Sequence, residues 1–280
     1  VTWRIATRHV STYRYSGPVV ASFNEARITP CATEGQNVIE ASVSVHPATS
    51  LFTYRDYFST LVTSFDVPEP HTELVVTGSS VVETAPLRIP TEGFSWTELA
   101  DPSISDRFSE YLAPTRYTTG DEELAGVAEG IRGGRTAIEA VEAVGELVRS
   151  TMTYEIGSTG VSTSGLEAWR QGRGVCQDFA HVGLVLLRKL GIPARYVSGY
   201  LHPSPDAVIG DRAEGAGHAW IEYWLGDWYP VDQTHGEPVA DRHVTVARGR
   251  DYADVAPFRG IYQGGKLEHL DVSVDLIRLN

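Results

Sequence analysis

The apolar residues of this chain change their period partway along, and that change calls for two kinds of architecture in one polypeptide. Over the first hundred residues, β-branched and aromatic side chains recur at every second position, as in Trp3 to Tyr15, Asn37 to Val45, Leu51 to Val67 and Glu73 to Glu83. Neighbouring strand residues point to opposite faces, so this spacing predicts half-buried strands. Ser16-Gly17-Pro18 and Val67-Pro68-Glu69-Pro70 read as turns between them. The pattern predicts an N-terminal antiparallel β-sandwich over residues 1–105.

From Thr91 to Gly120 the period lapses and Pro102, Pro114 and polar residues collect, which puts the domain junction there. Helical spacing follows. Ile138, Val141, Val144, Leu147 and Val148 mark one face of a helix over about 135–151. Phe179, Val182, Leu186, Leu187 and Leu190 mark a second, which Gly191 and Pro193 end. Strands are predicted at 195–201, 219–225 and 228–231, and the alternating segment 267–279 is a last strand able to pair with either sheet. Residues 106–280 thus read as a second domain of helices packed on an antiparallel sheet, and the fold class as α+β.

Charge and cysteine content exclude several functions. A formal net charge of -13 repels phosphate backbones and no Lys/Arg cluster offsets it, so nucleic acid is not an expected partner. No run of roughly eighteen apolar residues occurs and Val1 to Val10 is interrupted by charge, so neither a membrane span nor a signal peptide is read. The two cysteines, Cys31 and Cys176, suit a reducing compartment, which points to the cytoplasm. Oligomeric state is not encoded in any pattern here.

Cys176 has a special context. Gly172-Arg173-Gly174-Val175 permits a tight turn, after which the thiol opens a helix whose free amides and dipole favour a thiolate. The Cys176 N–H is also a candidate oxyanion donor, with the Gln171 side chain as a second candidate. His218, in Gly217-His218-Ala219-Trp220, and Asp232, in Trp228-Tyr229-Pro230-Val231-Asp232, supply a base and the carboxylate that orients it. Both lie on a predicted hairpin, where register decides whether they meet. A two-residue turn at Gly226-Asp227 would set Asp232 opposite Ile221, facing away from His218; a three-residue connection or a bulge sets it opposite Trp220, on the face of His218. We therefore predict the odd connection.

Trp169, Trp220 and Trp228 are candidates for lining a substrate groove, although aromatics at strand spacing more often form core. Asp178 and His181 match no zinc spacing, and no acidic calcium loop is present, so neither a metal nor an organic cofactor is expected.

Gly174-Val175-Cys176-Gln177-Asp178-Phe179-Ala180-His181, Gly191-Ile192-Pro193-Ala194-Arg195-Tyr196-Val197-Ser198-Gly199-Tyr200, His218-Ala219-Trp220 and Trp228-Tyr229-Pro230-Val231-Asp232-Gln233-Thr234 together resemble the core of bacterial transglutaminase-like proteins. Asp241-Arg242-His243-Val244 and the stretch 249–255 are similar too. The resemblance implies a papain-like core with Cys176, His218 and Asp232 as nucleophile, base and orienting acid, acting on a peptide or protein. It also implies that the β-rich start is the domain that accompanies such cores. Gln233 departs from the family, which usually has proline there. Such scaffolds carry peptide hydrolases, transamidating enzymes and inactive relatives; because nothing in the sequence shows a second amine site, the expectation is a thioester-forming amide hydrolase, with transamidation and silent peptide binding as rivals.

Overall fold

One strand ties the molecule together. The computed structural model describes residues 2–87, 93–215 and 217–280. Strand β1 (Trp3–Ala26) is followed by β2 (Gln36–His46), β3 (Leu51–Arg55), β4 (Leu61–Val67) and β5 (His71–Thr84). Helices α1 (Trp96–Leu99), α2 (Pro102–Arg107) and α3 (Ser109–Leu112) lead to α4 (Glu122–Arg132) and α5 (Ala137–Thr151). Next come β6 (Thr153–Tyr154), α6 (Gly165–Gln171), β7 (Arg173–Gly174), α7 (Cys176–Lys189) and β8 (Ala194–Leu201). The chain continues through β9 (Arg212–Gly215), β10 (Gly217–Trp224), β11 (Trp228–Val231) and β12 (His243–Gly249), then α8 (Tyr252–Val255), β13 (Phe258–Gly264) and β14 (Leu267–Arg278).

The expected two-sheet sandwich is instead one antiparallel eight-stranded sheet with two wings. The first half of β1 lies between β5 and β14, and its second half between β4 and β13. Tyr13, Val19, Phe65, Leu74 and Val76 fill the space between the wings. The turn expected at Ser16-Gly17-Pro18 is a kink within β1. Its backbone finds partners in the β13–β14 connection, where Lys266 O accepts from Ser16 N–H at 2.9 Å and Pro18 O accepts from Gly265 N–H at 3.1 Å. With those groups paired, the chain gains nothing by reversing. Gly264 (φ 138°) and Gly265 permit this approach, since a Cβ on either would lie 2.2 Å from a β1 carbonyl oxygen.

Two further expectations are refined. The segment 51–67 is a hairpin, because Asp56 Oδ1 accepts from the N–H groups of Phe58 and Thr60 and closes a turn. The expected junction starts at Thr91, outside the described residues; from Gly93 onward the stretch holds α1 to α3, the first capped by Ser95 and the second by Asp101. Helices this short leave no period to read. The last strand pairs with β1, so the carboxyl end of the chain returns to the first sheet.

The second sheet, ordered β11-β10-β8-β12, packs on α7, which is buried almost end to end. A capping box between Thr136 and Glu139 starts α5 beside it. Trp3, Ile5, Val82 and Leu276 of the first sheet extend the same core. The two parts are also joined by polar contacts: His9 Nδ1 meets Tyr200 Oη at 2.9 Å, and the Gln36 amide pairs with both backbone groups of Thr245 at 2.8 Å. Among the described residues no helix is long and apolar enough to cross a membrane.

Gly199 sits at the centre of this sheet, opposite His218 on β10 and Thr245 on β12. A Cβ there would lie 2.1 Å from Val244 O and 2.6 Å from the Trp220 ring. Gly199→Ala is expected to destabilise the fold by about 1–3 kcal/mol, read as a lowered urea midpoint. An unchanged midpoint would contradict this packing.

Candidate active site

The turn before α7 is held by an aspartate. Asp178 Oδ2 accepts from Val175 N–H at 2.8 Å and from Thr159 Oγ1 at 2.6 Å, which fixes the first turn of the helix. Gly174 must be glycine, since its Cβ would lie 2.6 Å from that carboxylate. Burial raises the Asp178 pKa, and these hydrogen bonds oppose the shift. Cys176, the first residue of the helix, is partly exposed, and its backbone N–H takes no backbone partner among the described residues. His181 takes no part in the site. It is fully buried, stacks on Tyr117 at 4.8 Å, and has its pKa lowered by burial to about 3.

His218 enters from β10. The β10–β11 register pairs Trp224 with Trp228 and Ile221 with Val231, so three residues, Leu225, Gly226 and Asp227, make the connection. Continued by one step, this register carries Asp232 past the end of β11 to the face of His218, as the parity argument requires. His218 Nε2 lies 2.8 Å from Asp232 Oδ2. Because a carboxylate only accepts, the ring donates from Nε2 and Nδ1 is left for the thiol. Burial alone would lower the His218 pKa; the hydrogen bond with Asp232 and the nearby Cys176 thiol outweigh it and push the value up to about 9.

Asp232 is fully buried and charged. Its Oδ1 accepts from Thr234 N–H at 2.8 Å and His235 N–H at 3.3 Å; its Oδ2 accepts from both His218 and His235 Nδ1, the latter at 2.9 Å. His243 Nε2 lies 3.5 Å from Oδ2. Ala240 N–H donates to His243 Nδ1, so the neutral His243 ring carries its hydrogen on Nε2, a buried nitrogen that stands beside the carboxylate without a hydrogen-bond partner. Burial would raise the Asp232 pKa, but these imidazoles hold it far below the usual carboxylate range. His218, Asp232 and His243 also have the mutual spacing of a cation site. His218 Nε2 nevertheless hydrogen-bonds Oδ2 itself, with His243 Nε2 farther off at 3.5 Å.

The groove candidates lie elsewhere. Trp220 is fully buried, packing 5.3 Å from the His243 ring and 6.0 Å from the His218 ring, so it forms the floor beneath the histidines. Trp228 stands at the far end of β11 from Asp232, stacked under Arg195 at 4.0 Å and packed on Phe108 and Tyr111. Trp169 Nε1 donates to Glu123 across α4 and α6. Trp220 is enclosed by the core while Trp169 and Trp228 are half-buried, and none of the three lines the cleft beside His218. Gln171 is exposed at the end of α6 and makes no side-chain hydrogen bond among the described residues, so nothing ties it to the sulfur.

A cleft of about 280 Å3 does open beside His218, walled by Tyr154, Pro205, Glu214, His235 and Glu237. Tyr154 reaches it because β6 pairs in parallel with β7, directly ahead of Cys176. Spacing missed His235 and His243. The signal for His235 was its place three residues after Asp232, where an aspartate commonly closes a turn. Gln233 is buried against Gly183 of α7, filling space beneath the same turn.

Residues 5–83 match the bacterial transglutaminase-like N-terminal region, and residues 125–233, which contain Cys176, His218 and Asp232, match the transglutaminase-like superfamily. An uncharacterised Mycobacterium leprae protein is 48% identical over 277 residues, covering 99% of each chain. An uncharacterised Mycobacterium tuberculosis protein is 34% identical over 301 residues, covering 99% of this chain and 93% of the other. A Pseudomonas aeruginosa protein-glutamine gamma-glutamyltransferase is 37% identical over 68 residues, which is 22% of this chain and 10% of that protein. The fold matches the crystal structure of a Cytophaga hutchinsonii protein proposed to be a cysteine protease, with TM-score 0.77 at 23% identity, covering 100% of this chain and 92% of that one. With both regions matched and relatives aligned end to end, the chain belongs to the transglutaminase-like superfamily and carries the bacterial N-terminal region ahead of its core.

Proposed function

We propose that the protein is a thiol-dependent amide hydrolase acting on peptide bonds or glutamine side-chain amides of a peptide or protein. The observation that carries this reading is the His218–Asp232 hydrogen bond, on a ring whose other nitrogen is left for Cys176. Cys176 Sγ attacks the carbonyl carbon while His218 Nδ1 takes the thiol proton. Asp232 holds the ring and supports its charge, and the Cys176 N–H donates to the oxyanion. The imidazolium then protonates the leaving amine, which departs and leaves a thioester. Solvent reaches the cleft beside the ring, which favours water as the acceptor.

Transamidation is the second reading. It is favoured by the Pseudomonas relative's name and by Glu214 in the cleft wall, whose carboxylate suits a cationic amine, whereas Glu237 there is paired with Arg242. Adding a primary amine during turnover of a glutamine peptide separates the two. Under our reading, product mass shows deamidation in excess of amine incorporation, and the reverse ratio would make the protein a transamidase.

Cys176→Ala is expected to remove both turnover and the single adduct that iodoacetamide leaves at neutral pH, with the buried Cys31 as internal control. Intact mass reads this directly, and surviving turnover would end the thiol mechanism. Asp232→Asn is expected to cut turnover about a hundredfold or more. It should also move the NMR titration of His218 down from about 9, since the partner opposing desolvation is gone. The raised value has a linkage consequence. His218 binds its proton more tightly folded than unfolded, so its contribution to stability is complete below about pH 6.5 and is lost as pH rises through about 9. Denaturant midpoints should fall across that window in the wild type and fall less in His218→Gln.

A further inference from the structure

The position of the cleft beside His218 fixes which part of a substrate can fill it. An amide bond breaks as its nitrogen takes a proton, and in the thiol chemistry above that proton comes from His218. The amine therefore departs on the His218 side, where the cleft of about 280 Å3 opens. Ammonia, the leaving group of a glutamine side chain, is the size of a water and takes about 30 Å3, roughly a tenth of that space. An amino acid residue matches it far better. Pro205 also borders a larger open hollow of about 750 Å3 walled by Trp3, Val208 and Ile209, so a chain continuing past the first residue has a place to lie.

Tyr154, Leu201, Pro203 and Pro205 give the cleft an apolar wall, and its two carboxylates are unequal. Glu237 is neutralised by Arg242, whose guanidinium also donates to the carbonyl oxygens of His202 and Pro203. Glu214 is exposed on β9 opposite Asp275 of β14. Arg212 pairs with Asp275 at 2.9 Å, which leaves Glu214 without an ion pair among the described residues. A hydrocarbon wall ending in a free carboxylate matches a side chain with an alkyl stem and a cationic head. Lysine and arginine have that form, and a formal net charge of -13 draws cationic chains toward the molecule.

We propose that this cleft binds the residue on the amine side of the scissile bond and that Glu214 selects a lysine or arginine side chain there. The substrate class is then a peptide bond followed by a cationic residue, rather than a glutamine side-chain amide. This rests on the thioester reading above and deepens it. Attack of an amine on the thioester reverses the departure of an amine, so an amine offered from solution enters through the same subsite.

The test uses the whole chain, p-nitrophenyl acetate to form the acetyl-enzyme, and arginine amide, norleucine amide or glutamate α-amide as competing amines. Mass spectrometry reads which acetylated amide forms. Arginine amide is used because its guanidinium stays protonated and does not attack the thioester itself. We expect it to be captured about fivefold faster than norleucine amide, the size of effect that a part-exposed charge pair gives, and glutamate α-amide to be captured more slowly than either. In Glu214→Gln the arginine preference is expected to fall within about twofold of norleucine, and in Glu214→Arg to turn toward glutamate α-amide. Each ratio is internal to one variant, so capture of norleucine amide shows that the variant folds and acylates. Equal capture of arginine and norleucine amides by wild type, an arginine preference that survives Glu214→Gln, or loss of the acetyl group to water alone would each overturn the inference. A wild type that releases no p-nitrophenolate dependent on Cys176 would overturn the thiol reading itself, so the two failures are distinguishable.

Discussion

A carboxylate with no access to water organises this molecule's site. Ionised Asp232 is fully buried, and burying an unpaired carboxylate costs several kcal/mol even after relaxation. The surrounding structure offsets that cost with N–H groups from the turn that follows it and with imidazoles from β10, the same turn and β12. Because three parts of the chain must arrive together, the site cannot form before the second sheet does. His218 is oriented as part of that shell, so the geometry that offsets desolvation also prepares the base.

The same sheet solves a second desolvation problem four residues along β10. Glu222 is buried between Arg195 of β8 and Arg248 of β12, with oxygen to nitrogen distances of 2.5 and 2.8 Å. Burial would raise its pKa; the two guanidinium groups reverse this and hold it at about 2. A buried pair of this kind contributes little beyond an apolar substitute, but losing one partner costs about 3–5 kcal/mol. Its effect is on register: a one-residue slip of β10 would strand Glu222 and carry His218 to the opposite face. One strand thus carries both the base and the charge that penalises its misplacement.

The N-terminal sheet contributes through contact with this core. Gln36 grips Thr245 just where β12 loses register against β8, two residues after His243. Tyr200 of β8 meets His9 of β1. The β-rich region therefore braces the strand that brings His243 to Asp232. Folding one long strand through both wings also explains why a single core runs from Trp3 to the helices.

Much of this was legible beforehand because it is local. The period change marked the two regions, the glycines and thiol marked the start of α7, and the parity of the Gly226 connection predicted that Asp232 would face His218. Trp169, Trp220 and Trp228 were misplaced because spacing shows that a ring is buried or half-buried without showing which neighbour covers it. The kink at Gly17 read as a turn because its partners, Lys266 and Gly265, lie some 250 residues away. The sequence by itself determined the chemical parts and the strand and helix periods, since both follow from residue type and near-neighbour spacing. Only the tertiary structure decided that three histidines converge on one aspartate and that β1 serves both wings, because convergence depends on chain segments far apart in sequence sharing one desolvated space.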